Sequence, residues 1–182
     1  PGKSALESAV AWEAARREAD GLRDSVRQLM ASHDLTAGAE LLIGLPELQV
    51  DLRGGGHASQ TDLWALLRTS NRIISAAFEA KSGEPLGDTV GKWLSEASSR
   101  SGKPDRLLDI RERLGLRDDT LEDVRSQLLH RAASATKLAT RFRVDVAVLV
   151  VHSFGREADE ESWDAFKRFS HIMGASVEKN HL

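Results

Sequence analysis

Apolar residues recur at helical spacing between Ser4 and Ala31 (Leu6, Val10, Ala14, then Leu22, Val26, Leu29), with Arg and Glu between them. This predicts one or two amphipathic helices broken near Asp20-Gly21. Thr36 or Gly38 opens a short helix over 39–43, which Pro46 must end. From Glu47 to Leu52 polar and apolar positions alternate and then stop at Gly54-Gly55-Gly56, the pattern of a strand over 47–53 followed by a turn. The runs "SQTDLWALLRT" and "RIISAAFEAK", separated by Ser70-Asn71, predict a hairpin of buried strands over 61–68 and 72–81.

Beyond Lys81 the texture changes. Gly83, Pro85 and Gly87 make a loop, and Asp88-Thr89 caps a helix over 90–94. Helices follow over 103–114 and 120–141, the second with Ala132, Ala133, Ala135 and Ala139 placed for close packing on a sheet. "VDVAVLVVHSF" is the most β-prone run in the chain and predicts a central strand over 144–152, covered on both faces. A helix over 161–174 turns Trp163, Phe166 and Phe169 to the core. Together these give an α/β fold, a mixed central sheet of about four strands flanked by helices. Residues 1–182 form a single domain, with 1–35 as an N-terminal helical extension.

Composition narrows the chemistry. With 182 residues, 41% of them hydrophobic, the chain can bury one substantial core. The absence of cysteine excludes disulfides, thiolate metal sites and cysteine nucleophiles, so any reaction must use oxygen and nitrogen groups. No apolar stretch approaches the roughly 20 residues that span a bilayer. The expectation is a soluble cytoplasmic protein with no membrane partner. A net charge of −3 supplies no global attraction for polyanions, so nucleic acid would need a local patch.

The one costly feature is "FEAK". Side chains at i and i+2 of a strand share a face, so Glu79 and Lys81 stand side by side at the end of a buried strand. The hairpin turn brings Asp62, at the start of the preceding strand, beside them. Two hard carboxylates suit Mg²⁺, which keeps several waters and takes only one or two protein carboxylates. A neighbouring lysine can orient a metal-bound water or stabilise charge on a phosphate.

The residues "TD" at 61–62 and "EAK" at 79–81, on these strands, resemble the core motif of the PD-(D/E)XK, or restriction-endonuclease-like, nuclease superfamily. The element order is similar to that superfamily's common core, although Thr61 stands where the motif's proline would be. A set of segments ("SQ-D", "EAK", "EP-G", "QLLHR-AS", "VHSF") across residues 38–170 also resembles uncharacterised bacterial proteins. The superfamily resemblance implies a restriction-endonuclease-like core and hydrolysis of phosphodiester bonds, DNA foremost, with Mg²⁺ or Mn²⁺. It implies Asp62, Glu79 and Lys81 as catalytic residues, with Asp62 and Glu79 as metal ligands. An additional acid from the preceding helix would be Glu40, with Glu47 second. Gln127, on a helix similar to one that lies near the metal in some branches, is a substrate-binding candidate together with His130, Arg131 and Gln60, the last sharing a face with Asp62.

Plainer readings stand beside these. A Glu-x-Lys pair on a strand is commonly a salt bridge, and Asp62 alone could be a turn residue. His130 and Arg131 could lie on a solvated helix face, and His152 could be a hydrogen-bonded boundary residue. Gly54-Gly55-Gly56 lacks the lysine and the spacing of a phosphate loop. Ser153 lacks the glycines of a nucleophile elbow. Three functional classes therefore remain: a metal-dependent nuclease, a catalytically silent module of the same fold that binds nucleic acid or a protein, and an interaction subunit forming a homodimer through its terminal helices.

Overall fold

A computed structural model describes residues 3–98, 100–116, 120–154 and 160–178. Two helices lead, α1 (Lys3–Ala15) and α2 (Asp24–Ala31), and strand β1 (Glu40–Pro46) follows. A two-residue ribbon, β2 (Gln49–Val50) with β3 (Ser59–Gln60), precedes β4 (Leu63–Arg68) and β5 (Ile73–Lys81). Then come α3 (Val90–Ser95), α4 (Lys103–Leu114), α5 (Ser126–Phe142), β6 (Val146–Ser153) and α6 (Glu160–Ile172). The main sheet runs β1-β4-β5-β6, antiparallel except for the parallel β5–β6 pair. The fold is thus α/β with a mixed four-stranded sheet between helices. No helix among the described residues is long and apolar enough to cross a membrane.

Strand alternation divides the core into two layers. Leu63, Ala65 and Leu67 of β4 with Ile74, Ala76 and Phe78 of β5 pack on Leu22, just before α2, and on Val26 and Met30 of α2. Trp12 adds an edge-on contact with Phe78. Trp64 of β4 joins α5 on the opposite face. There Ser75 accepts the Trp64 indole N–H at 2.9 Å and donates to the Ala135 carbonyl at 2.9 Å, so the polar atoms under the helix are satisfied. Small residues of α5 make this approach close, since Ala133 and Ala135 are fully buried against β5 and β6. The N-terminal helices therefore cover one face of the sheet; of the apolar stripe proposed for dimerisation, Leu22 and Val26 are buried, while Val10 is 62% exposed.

Four sequence expectations change, one of them the start of the long helix, which begins at Ser126 and not at Thr120. Residues 39–43, expected as a helix, lead into and form most of strand β1, because pairing with β4 overrides the helical preference of Ala-Glu-Leu-Leu. The expected strand over 47–53 shrinks to the β2 ribbon outside the main sheet. β6 is covered on both faces, with Val150 in one layer and Leu149 and Val151 in the other, yet lies at the sheet edge; β5 is central. Helix α4 coincides with its expected span, and Thr89 caps α3 by accepting from the Lys92 N–H.

Candidate active site

Glu79 and Lys81 occupy the last turn of alternation on the α5 face of β5. Both are buried, at 2% and 5% exposure. Lys81 Nζ donates to Glu79 Oε1 at 2.7 Å, and Arg131 Nε, reaching down from α5, donates to Glu79 Oε2 at 2.6 Å. Each oxygen of a fully desolvated carboxylate thus holds its own charged donor. A carboxylate buried this deeply is tolerated only with such pairing.

Asp62 sits at the step between β3 and β4. Because Leu63 pairs with Phe78, the next position back lies beside Glu79. Asp62 Oδ2 accepts the Ala80 N–H at 2.7 Å, and its carbonyl accepts the Glu47 N–H at 3.0 Å. Burial, and then the charge of Glu79, raise the Asp62 carboxyl above its ordinary value, against smaller opposing effects of the Ala80 N–H, Arg131 and Lys81. A group whose folded-state value is raised contributes stability below its unfolded value and loses it as pH rises through the folded one. Asp62→Asn is therefore expected to leave the melting temperature unchanged near pH 3.5 and to raise it by roughly 2–4 °C at pH 7 in chelator. Melting curves across this range check the sign; a strong loss at pH 7 would make the Asp62 charge a structural asset.

Around the triad lies a second set of polar groups, of which sequence reasoning named Arg131 but missed Ser59 and Ser134. Arg131 also donates from Nη1 to Ser59 Oγ at 3.2 Å, and Ser134 Oγ lies 2.9 Å from the same hydroxyl. Ser59 begins the "SQ-D" string and Ser134 follows Arg131 by one helical turn, which is the signal that could have found them. Gln127, one turn before Arg131 on α5, packs on Gly87, where an added Cβ would come within 3.0 Å of the Gln127 Cγ. Its Oε1 is buried and accepts no hydrogen bond among the described residues. His130 binds the Ser126 carbonyl through Nδ1 at 2.7 Å and meets Trp93 edge-on. Burial, with the charges of Arg106 and Arg131 adding to it, lowers His130 to about 4, so it is neutral at physiological pH and is no cation for phosphate.

Glu40 and Gln60 are not brought to the triad. Glu40 is exposed and pairs with Arg68 at 2.7 Å, at the end of β4 opposite to Asp62, since 39–43 leads into a strand instead of forming a helix. Glu47 is the acid whose backbone adjoins Asp62, and its side chain is exposed. Gln60 is exposed and faces Gln49 across the ribbon; the step at 61–62 breaks the alternation that would have placed it with Asp62. Among the described residues no group of three or more His, Asp or Glu could hold a metal ion. The donor set is therefore two carboxylates. Mg²⁺ needs no more than two protein carboxylates; Asp62 Oδ1 accepts no hydrogen bond among the described residues, and a Glu79 oxygen would be open to a metal only if Lys81 or Arg131 left it.

Fold and site together define an α/β protein with an acid–acid–lysine cluster at the end of a central strand, roofed by an arginine-bearing helix. The chain belongs to the DUF6946 family, a domain of unknown function, whose model matches residues 1–182. No curated protein and no solved structure matches it.

Proposed function

We propose that this chain is a metal-dependent phosphodiesterase acting on nucleic acid, DNA foremost, as its resemblance to the PD-(D/E)XK nucleases implies. The observation that carries the reading is the convergence of Asp62, Glu79 and Lys81 at one strand end, with Glu79 and Lys81 2.7 Å apart and Asp62 keeping one oxygen open. Mg²⁺ or Mn²⁺, held by Asp62 and Glu79, would polarise a phosphate oxygen and acidify a bound water. Lys81 is placed to position the attacking water and to offset charge developing on the phosphate. Gln127, with an unpaired buried acceptor on the Arg131 stripe, suits a hydrogen bond to water or substrate. A cytoplasmic location accords with this chemistry.

One observation favours a catalytically silent module: Glu79 already has both oxygens occupied by protein cations. Nearby cations are also engaged, Arg106 with the carbonyls of Gly55 and His57, and Arg125 with that of Gly87. Single-stranded, duplex, nicked and branched DNA and RNA, incubated with the protein in Mg²⁺ or Mn²⁺, distinguish the two. The expected result is weak cleavage that falls with salt, with Ca²⁺ supporting binding without turnover. Absence of cleavage on every substrate, with Asp62→Asn/Lys81→Met indistinguishable from wild type, decides for the silent module.

A further inference from the structure

The cluster is electrically closed. Asp62 and Glu79 carry two negative charges, and Lys81 and Arg131 carry two positive ones. An acid–acid–lysine set alone has a net charge of −1, which a divalent cation would turn to +1 and a phosphodiester would then neutralise. Adding Arg131 raises each of these sums by one. A cation entering while Arg131 stays on Glu79 would create a net +2 in a buried volume, which low dielectric makes strongly unfavourable. Arg131 is also the movable cation of the two. Lys81 is fixed on the same strand as Glu79, two residues away, whereas Arg131 reaches in from a different layer on a long side chain that is 13% exposed. Its outer nitrogen rests on a neutral hydroxyl, Ser59, so swinging outward breaks only one charged contact.

From this balance we infer that Arg131 is a stand-in cation: it occupies Glu79 in the metal-free protein and transfers to the substrate phosphate when the metal binds. Metal and phosphodiester binding are then coupled. Metal alone must displace an arginine and is bound weakly; a phosphodiester gives the displaced guanidinium a bidentate partner and strengthens metal binding. The reciprocal holds by linkage, so oligonucleotide binding tightens in the presence of metal. The inference rests on the phosphodiesterase reading and adds a regulatory element to it, namely that the site holds metal only weakly until substrate arrives.

The test is calorimetric titration of the full chain with CaCl₂, with and without a single-stranded oligodeoxynucleotide, for wild type, Arg131→Met and Arg131→Lys. Met retains much of the side chain's bulk, and Glu79 keeps Lys81, so the variant retains a paired carboxylate. The expected result is that Arg131→Met binds Ca²⁺ alone at least about 10-fold more tightly than wild type, with Arg131→Lys between them. Oligonucleotide should tighten Ca²⁺ binding about 10-fold in wild type and much less in Arg131→Met. Equal Ca²⁺ affinity in wild type and Arg131→Met overturns the stand-in role and leaves the phosphodiesterase reading intact. No Ca²⁺ binding by any of the three proteins, with or without oligonucleotide, overturns that reading and this inference with it.

Discussion

Glu79→Gln should lower the melting temperature of the metal-free protein by about 6–20 °C, the shift that 3–5 kcal/mol produces in a domain of this size. The substitution leaves the shape of the side chain, removes its charge and turns one of its two acceptor oxygens into an N–H donor facing a cation. Lys81 and Arg131, with side chains 7% and 13% exposed, then share a buried volume with no carboxylate between them. Asp62 replaces it only in part, because its Oδ2 is held by the Ala80 N–H and one oxygen alone is left for two cations. Combining Glu79→Gln with Arg131→Met removes one of the stranded cations and should recover part of the loss, so a double-mutant cycle isolates the pairing energy. A melting temperature within 2 °C of wild type for Glu79→Gln would mean that the cluster is wetter than its burial implies. The two acids of the site are thus expected to respond in opposite directions to loss of charge near neutral pH: Asp62 is a charge the fold bears unwillingly, Glu79 a charge the fold requires.

That division was only partly legible in the chain. The pairing of Asp62 with Glu79 follows from the β4–β5 hairpin, whose turn is closed by the Thr69 N–H to the Arg72 carbonyl and by the Thr69 hydroxyl. Two β-rich runs and a Ser-Asn turn determine that register locally, so alternation along β5 placed Glu79 and Lys81 without any knowledge of the tertiary fold. Repulsion between Asp62 and Glu79 likewise follows from their adjacency. The roof does not. Arg131 lies 52 residues beyond Glu79, and its landing on that carboxylate depends on how α5 crosses the sheet. The alanine stripe hinted at a close crossing, and the resemblance put the helix of Gln127, His130 and Arg131 near the site, but neither gave the pairing with Glu79.

The misreadings share a cause. Ala39 to Ile43 has a composition that serves helix or strand, and the outcome was settled by a partner, β4, whose hydrogen bonds the local sequence does not encode. Glu40 was lost to the site with that helix. For β6, a continuous apolar run reported that both faces are covered, which is true, but coverage of faces says nothing about neighbours in the sheet plane. Gln60 failed for a smaller reason, a two-residue step that ends strand alternation before Asp62.

Lys81→Met should reduce metal-dependent cleavage at least about 100-fold while leaving Ca²⁺ affinity unchanged or slightly improved. The charge balance explains the split. Removing Lys81 takes away a positive charge beside Glu79, so a cation is not disfavoured, and Arg131 still pairs with Glu79 in the metal-free state. What disappears is the ammonium 2.7 Å from Glu79 Oε1, the cation fixed on the same strand as that carboxylate and able to hold water or bear against phosphate charge. Rescue is expected to be poor with Lys81→Arg, because a planar guanidinium cannot occupy the volume of a compact ammonium in a site this buried. Arg131→Met should behave differently, with tighter metal binding and weaker substrate binding, so the two cations of one carboxylate separate into a chemical and a binding role. Cleavage rates and Ca²⁺ titrations on the two variants check this directly. If Lys81→Met retained half of the wild-type rate, Lys81 would be a neutralising partner of Glu79 and no more.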